Sequence, residues 1–108
     1  LPVIITDRDH VISVSGISKK EYLERRISTE LETLMESRTN YTASADEEPI
    51  YPISGMSREA AVAYPIIGSG DVSGCVVLLL NSDGSLPSET ERKLVAVAAS
   101  FLGKQMEE

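Results

Sequence analysis

The strongest constraint on the fold is a run of consecutive apolar residues at positions 75–80. Gly74 precedes this run and the turn-forming residues 81–84 follow it, which favours a strand over a segment of buried helix. Strand side chains point alternately to the two faces of a sheet, so a strand that is apolar at every position needs cover on both faces. The run therefore predicts a central strand with a layer of structure on each side.

The length of 108 residues and the hydrophobic share of 42% indicate a single domain, 1–108, with one modest core. The sequence shows neither a long apolar run nor a signal-peptide pattern, and Cys75 is its one cysteine. These features predict a cytoplasmic location, where a lone thiol stays reduced. Because the chain starts at Leu1 rather than at methionine, we expect a fragment or a trimmed product.

The chain is acidic, with a net charge of −7 and a local acidic cluster at 46–48. Such a surface repels the phosphate backbone of nucleic acids. We therefore expect this domain to make no DNA contact by itself.

Residues 2–15 predict a hairpin. The strand 2–6 is apolar on both faces, and the turn 7–10 is rich in residues that bond their own backbone. The second strand, 11–15, carries serines and is less apolar, so we place it nearer the edge of the sheet.

Two helices are predicted after the hairpin. A capping-box pattern at Ser18 predicts a short helix over 18–26 that buries Tyr22 and Leu23. Ser28 is a candidate cap for a second helix that runs to about residue 38. Its apolar positions have helical spacing and would lie on the sheet: Ile27, Leu31, Leu34 and Met35.

The segment 39–57 is the least regular part of the chain. A short strand around 50–53 is predicted at an edge, because its prolines cannot donate to a ladder. The strand 61–67 follows, with a bulge or an unpaired position expected at Pro65. The turn 68–71 then leads into the central strand.

The last helix is predicted to begin at a capping box at Ser88 and to run to about Met106. Its apolar residues cover more than half of its circumference, which is more than one sheet face needs. The surplus predicts a second partner, either a missing helix or another subunit. We assign the oligomer interface to Leu94, Val97 and Phe101, with Phe101 on the surplus face.

The order of elements predicts an α+β domain with an antiparallel sheet between helical layers and a long C-terminal helix. This order resembles a GAF domain. So do the sequences of a strand at 64–67, a glycine turn at 70–74 and the glycine-led central strand at 76–78.

A more specific resemblance lies in two blocks, at 7–9, 14–16, 18–20, 22–23 and 27–28, and at 97–99, 101–102 and 105–106. These blocks resemble the C-terminal GAF domain of the stage V sporulation protein T family. That family comprises AbrB-related transcription regulators of endospore-forming bacteria. The resemblance covers roughly residues 3–38 and 61–108, whereas the middle of the chain, 39–56, matches poorly.

The resemblance implies a role in sporulation-specific transcription regulation. In that family an N-terminal swapped-hairpin domain binds DNA, and the GAF domain helps to assemble a tetramer and is expected to sense a small molecule. The DNA-binding domain would then lie outside this chain, as would the helix that usually precedes the first GAF strand. Self-association through the last helix would give a dimer or tetramer of the full-length protein. The alternative is a purely structural dimerisation module with no ligand.

The same resemblance places a ligand pocket between the sheet and the layer formed by helix and loop. Aromatic rings that carry a hydroxyl suit a mostly apolar site with a few polar groups. On this analogy the lining would come from Leu34, Met35, Tyr41, Tyr51, Ile53 and Tyr64.

The sequence predicts no catalytic residue, no metal site and no cofactor. His10 is the only histidine and stands in a turn without partners at ligand spacing. Cys75 would be a redox sensor only if it were exposed, and its apolar strand predicts a core residue. Asp7 and Asp9 fit turn formers better than an acid–base pair. We therefore expect no enzyme.

Overall fold

The computed structural model describes residues 1–105. Its strands form one five-stranded antiparallel sheet in the order β2-β1-β5-β4-β3. The predicted α+β class and antiparallel sheet are confirmed. The elements are β1 (Val3–Thr6), β2 (Val11–Ser15), α1 (Lys19–Tyr22), α2 (Thr29–Glu36), β3 (Tyr41–Thr42), β4 (Ala60–Gly68), β5 (Asp71–Leu79) and α3 (Glu89–Gln105). Met106, the predicted end of the last helix, lies outside the described residues.

Strand β5 is the centre of the sheet, between β1 and β4. Its residues are buried without interruption from Gly74 to Leu79. Their side chains alternate between two hydrophobic clusters, with Cys75 and Val77 in one and Val76 and Leu78 in the other. The prediction of a central strand covered on both faces is confirmed.

The two clusters form two layers. The first, called here the α2 layer, packs helix α2 onto the sheet through Leu31, Leu34 and Met35. The second, the α3 layer, packs α3 through Val95 and Ala99. None of the helices within residues 1–105 combines the length and apolar character needed to cross a lipid bilayer.

The predicted hairpins are present, and their turns have clear causes. The Asp7 carboxylate accepts hydrogen bonds from the Asp9 and His10 amides, both at 2.7 Å. These bonds hold the pKa of Asp7 below its usual value. Ser69 and Gly70 join β4 to β5 with φ values of 52° and 83°, which is the positive pair that a type I′ turn requires.

Strand β2 lies at the sheet edge, as its serines predicted. The irregularity predicted at Pro65 falls one step further along, as a register shift between Ile66 and Ile67. Pro65 itself stands opposite Cys75 in the register of β4 and β5. On the other side of β4, the short β3 reaches only Val62 and Ala63, so no strand there needs a Pro65 amide.

Two of the three predicted helix caps are confirmed. Ser88 forms a full capping box, because its hydroxyl accepts from the Glu91 amide at 3.1 Å and the Glu91 carboxylate accepts from the Ser88 amide at 2.8 Å. The Ser28 hydroxyl accepts from the Leu31 amide at 3.1 Å. Helix α2 ends at Glu36, two residues before the predicted end.

The capping box predicted at Ser18 is wrong. Ser18 makes no side-chain cap bond, and α1 is a single turn that ends at Tyr22 rather than near Arg26. Tyr22 is buried as expected, but Leu23 is 41% exposed. The chain leaves the helix here because the Glu24 amide donates to the Val11 carbonyl and the Val11 amide donates to the Arg25 carbonyl, both at 2.9 Å.

The edge strand predicted at 50–53 is also wrong in position. Only an isolated bridge between Ile27 and Ile53 forms there, and the edge strand beside β4 is Tyr41–Thr42. Pro49 and Pro52 have no N–H to donate, so this segment cannot form a continuous ladder.

The hydroxyl of Thr6 generates a prediction about stability. Thr6 is 1% exposed and its Oγ1 has no hydrogen-bond partner among residues 1–105. An unpaired buried hydroxyl carries a desolvation penalty that an isosteric methyl group removes. We expect Thr6→Val to raise the free energy of unfolding by about 1 kcal/mol, measured by urea denaturation. Thr42→Val, on the edge strand, is the matched control and should change it by less than about 0.5 kcal/mol. A loss of stability in Thr6→Val would contradict the prediction.

Candidate functional site

A cavity of about 620 Å³ opens at the N-terminal end of α2, beside the loop 51–57. We call it the α2 pocket. Ile27 and Ile53 are buried beneath it, and Tyr51 and Met56 contribute further apolar surface. The volume lies within the range of small-molecule sites.

The backbone around the α2 pocket is held on both sides of its floor. The Ser28 amide donates to the Pro52 carbonyl and the Ser54 amide donates to the Arg26 carbonyl, each at 2.9 Å. These two bonds flank the bridge between Ile27 and Ile53. The Met56 amide then donates to the Ile53 carbonyl at 3.2 Å and closes a turn. Gly55 sits third in this turn with φ +79°, a conformation that favours glycine.

The rim of the α2 pocket is polar and carries both signs of charge. Its hydroxyl groups come from Ser28, Thr29, Ser54 and Ser57, and its charges from Arg26, Glu30 and Glu32. The Ser28 hydroxyl is already committed as the α2 cap. Glu30 accepts a long hydrogen bond of 3.4 Å from the Tyr51 amide through Oε2. The site can therefore offer charged groups beside an apolar floor.

The structure brings some of the predicted pocket residues to this site. Tyr51 and Ile53 line the α2 pocket. Leu34, Met35 and Tyr41 lie on the same face of the sheet but are buried in the α2 layer. Burial raises the pKa of Tyr41 above its ordinary value.

Tyr64 does not join the others. It packs in the α3 layer with Val62 and Ile66, as the alternation along its strand predicted. Tyr41 and Ile53 belong to the α2 layer, so the sheet separates them from Tyr64. Ligand contact by any of these residues stays a prediction.

The predicted list did not include the charged and hydroxyl-bearing residues of the rim. Arg26, Glu30 and Glu32 had helical or loop positions but no motif that marked them as a site. The Ser28 cap was the available signal, since it marks where α2 begins and thus where a pocket beside its first turn could open.

The remaining chemistry-bearing side chains stand where the sequence placed them. His10 is exposed in its turn, and Cys75 is fully buried. Burial raises the pKa of the Cys75 thiol from 9.0 to about 12, so the thiol is neutral at physiological pH. Within residues 1–105, no three His, Cys, Asp or Glu side chains lie where they could hold a metal ion together.

The outer face of α3 carries exposed apolar side chains. Leu94, Val97 and Phe101 are 53%, 66% and 61% exposed. The opposite side of α3 is buried on the sheet, so closely that a Cβ at Gly103 would collide with the Ile67 carbonyl. We call the exposed residues Leu94, Val97 and Phe101 the α3 stripe. Its orientation is as predicted, and its role as an interface stays a prediction.

The domain is thus a sheet with helices on both faces, an open pocket on one side and an exposed apolar stripe on the other. The profile of the family "Stage V sporulation protein T C-terminal, transcription factor" matches residues 1–107. The chain therefore belongs to this family of transcription-factor domains.

A curated relative agrees with this assignment. Stage V sporulation protein T of Bacillus subtilis strain 168 is 39% identical over 108 residues, which is 98% of this chain and 59% of the relative. The chain thus spans less than two thirds of that protein's length. The resemblance to the C-terminal region of the stage V sporulation protein T family is confirmed. The family match also covers the segment 39–56, where the resemblance read from the sequence is weak.

The buried thiol predicts how stability depends on pH. The folded state raises the pKa of Cys75 to about 12 from 9.0, so only the unfolded chain readily forms the thiolate between these values. The free energy of unfolding therefore keeps its full value with respect to this thiol below about pH 9. It falls as pH rises toward about 12, by at most about 1.4 kcal/mol per pH unit. Urea unfolding at about pH 8 and about pH 10 should show this loss in the wild-type protein, and Cys75→Ala should show less. Equal pH dependence of the two proteins would contradict it.

Proposed function

We propose that this chain is the regulatory and oligomerisation domain of a sporulation-specific transcription regulator. Family membership supports the regulatory role. The net charge of −7 argues that DNA is contacted by a part of the full-length protein outside this chain. The regulator would act in the cytoplasm, without cofactor or catalysis.

The observation that carries the assembly role is the α3 stripe. Leu94, Val97 and Phe101 follow one another at helical spacing on the face that points away from the sheet. Exposed apolar residues in a contiguous row are a common mark of an interface. We infer that a second copy of this chain covers them, or the helix that precedes the first strand in GAF domains.

The fold supports a GAF-like domain with a sensing role. Its antiparallel sheet lies between a layer with α2 and a layer with α3. The α2 pocket opens on the sheet face opposite α3, where GAF domains hold small molecules. A ligand there would regulate the protein only if it bound one assembly state more tightly than another.

A purely structural dimerisation module is the second candidate. Leu34, Met35 and Tyr41, three of the residues predicted to contact a ligand, are buried in the core of the α2 layer. If the α2 pocket is only a surface depression, the α3 stripe alone would explain what this domain does.

A charge in the α3 stripe tests the assembly role. We expect Phe101→Asp to weaken self-association at least about tenfold, because association would bury an unpaired carboxylate. The fold should survive, since the Phe101 side chain is mostly exposed. Analytical ultracentrifugation gives the dissociation constant and thermal denaturation checks folding.

Ser100→Asp is the matched control for this experiment. It adds the same charge at an exposed position of α3 outside the α3 stripe, so association should persist. A wild-type domain that stays monomeric at about millimolar concentration would refute the assembly role. Outright unfolding of Phe101→Asp would contradict the expectation that this side chain contributes to association rather than to the fold.

A thermal-shift screen against metabolites tests the sensing role. A ligand that binds only the folded state stabilises it by about 2.7 kcal/mol at a hundred times its dissociation constant. We expect a hit whose effect disappears in Ser54→Trp, which fills the α2 pocket, and persists in Ser82→Trp on the loop before α3. A screen without hits would favour the purely structural module.

A further inference from the structure

The α2 pocket holds charges of opposite sign that do not neutralise each other. Arg26, Glu30 and Glu32 all line it. Among the residues the structure describes, the ion pair joins Lys93 to Glu89 on α3, and Arg26 pairs with neither glutamate of the pocket. Unpaired charges of both signs around one cavity can each serve a bound molecule.

The two glutamates keep binding capacity. Glu30 uses only Oε2, in a hydrogen bond of 3.4 Å that is longer than a strong one. Its Oε1 stays available to an ammonium group, and Glu32 adds a second carboxylate. Arg26 contributes its backbone carbonyl to the floor, which leaves its guanidinium for a carboxylate.

The apolar floor defines what should lie between the charged ends of a ligand. Ile27 and Ile53 are buried beneath the cavity, and Met56 is partly buried beside them. This surface suits an aliphatic body. The pocket has two carboxylates and one guanidinium, and the whole chain has a net charge of −7. This negative balance disfavours binding of a polyanion such as a nucleotide.

We propose that the α2 pocket binds a small aliphatic zwitterion, namely a free aliphatic amino acid or a short aliphatic peptide. The proposal rests on the sensing role proposed above and specifies its ligand. Arg26 receives the carboxylate, and Glu30 and Glu32 receive the ammonium group. The aliphatic part of the ligand lies against Tyr51 and Met56, above the buried Ile27 and Ile53. Each charged contact is of the charge-assisted kind, which is stronger than a neutral hydrogen bond.

Calorimetric titration of this domain with four probes tests the ligand class. L-leucine and the dipeptide leucyl-leucine carry both charges, isopentylamine carries only the ammonium group, and 4-methylpentanoate carries only the carboxylate. We expect at least one zwitterion to bind at least about tenfold more tightly than either single-charge probe. Comparison of leucine with leucyl-leucine distinguishes the amino acid from the peptide.

Single-charge variants assign the two ends of the ligand. Glu30→Gln and Arg26→Gln should each weaken zwitterion binding by about tenfold. Glu30→Gln should also reduce the ratio between the dissociation constants of 4-methylpentanoate and leucine, because leucine loses a partner for its ammonium group. A general loss of structure would not produce this change. Glu21→Gln and Arg92→Gln make the same charge changes outside the α2 pocket and should leave affinity unaltered.

Three results would overturn the proposal. One is isopentylamine or 4-methylpentanoate binding as tightly as the zwitterions. Another is that neither zwitterion binds, while a metabolite of a different class binds and Ser54→Trp abolishes its binding. This result would leave the sensing role intact. The third is that no probe and no metabolite in the screen binds, which would refute both the proposed ligand and the sensing role. The Phe101→Asp experiment would still decide the assembly role.

Discussion

The structure depends on keeping both faces of β5 away from water. Residues 75–79 alternate between the α2 layer and the α3 layer, so neither layer can be removed without exposing apolar side chains. The neighbouring strand also comes very close at one end, where a Cβ on Gly74 would collide with the Thr6 carbonyl. Glycine is needed there because the backbone at the end of β1 lies directly against this position as β1 pairs with β5.

The two layers leave different surfaces open. Helix α3 buries one side on the sheet and exposes the α3 stripe on the other. In the α2 layer, α2 is short and the loop 51–57 completes the cover, which leaves the α2 pocket between them. For a regulator of this family, the pocket and the stripe would lie on opposite sides of one sheet. β1, β4 and β5 contribute side chains to both layers, so their packing is a physical connection between the two sides.

Local signals predicted the helix ends well only where tertiary contacts agreed with them. Ser18 and Ser88 both begin a Ser-x-x-Glu pattern, yet only Ser88 forms the reciprocal bonds. After Ser88, α3 continues along the sheet to Gln105. After Tyr22, by contrast, the backbone of 24 and 25 bonds to Val11 on the edge strand β2, and the helix stops after one turn.

The sequence by itself determined the central strand, the hairpins with their turns and the two-sided character of α3, because each depends on periodicity or turn chemistry within a short segment. Only the tertiary structure decided that Tyr41–Thr42 is the edge strand beside β4 and that Tyr64 is separated from Tyr41 and Ile53. It also brought Arg26, Glu30 and Glu32 together around one cavity. Alternation shows which residues share a face of their own element. It does not show which layer that face meets, because this depends on packing between segments far apart in the chain.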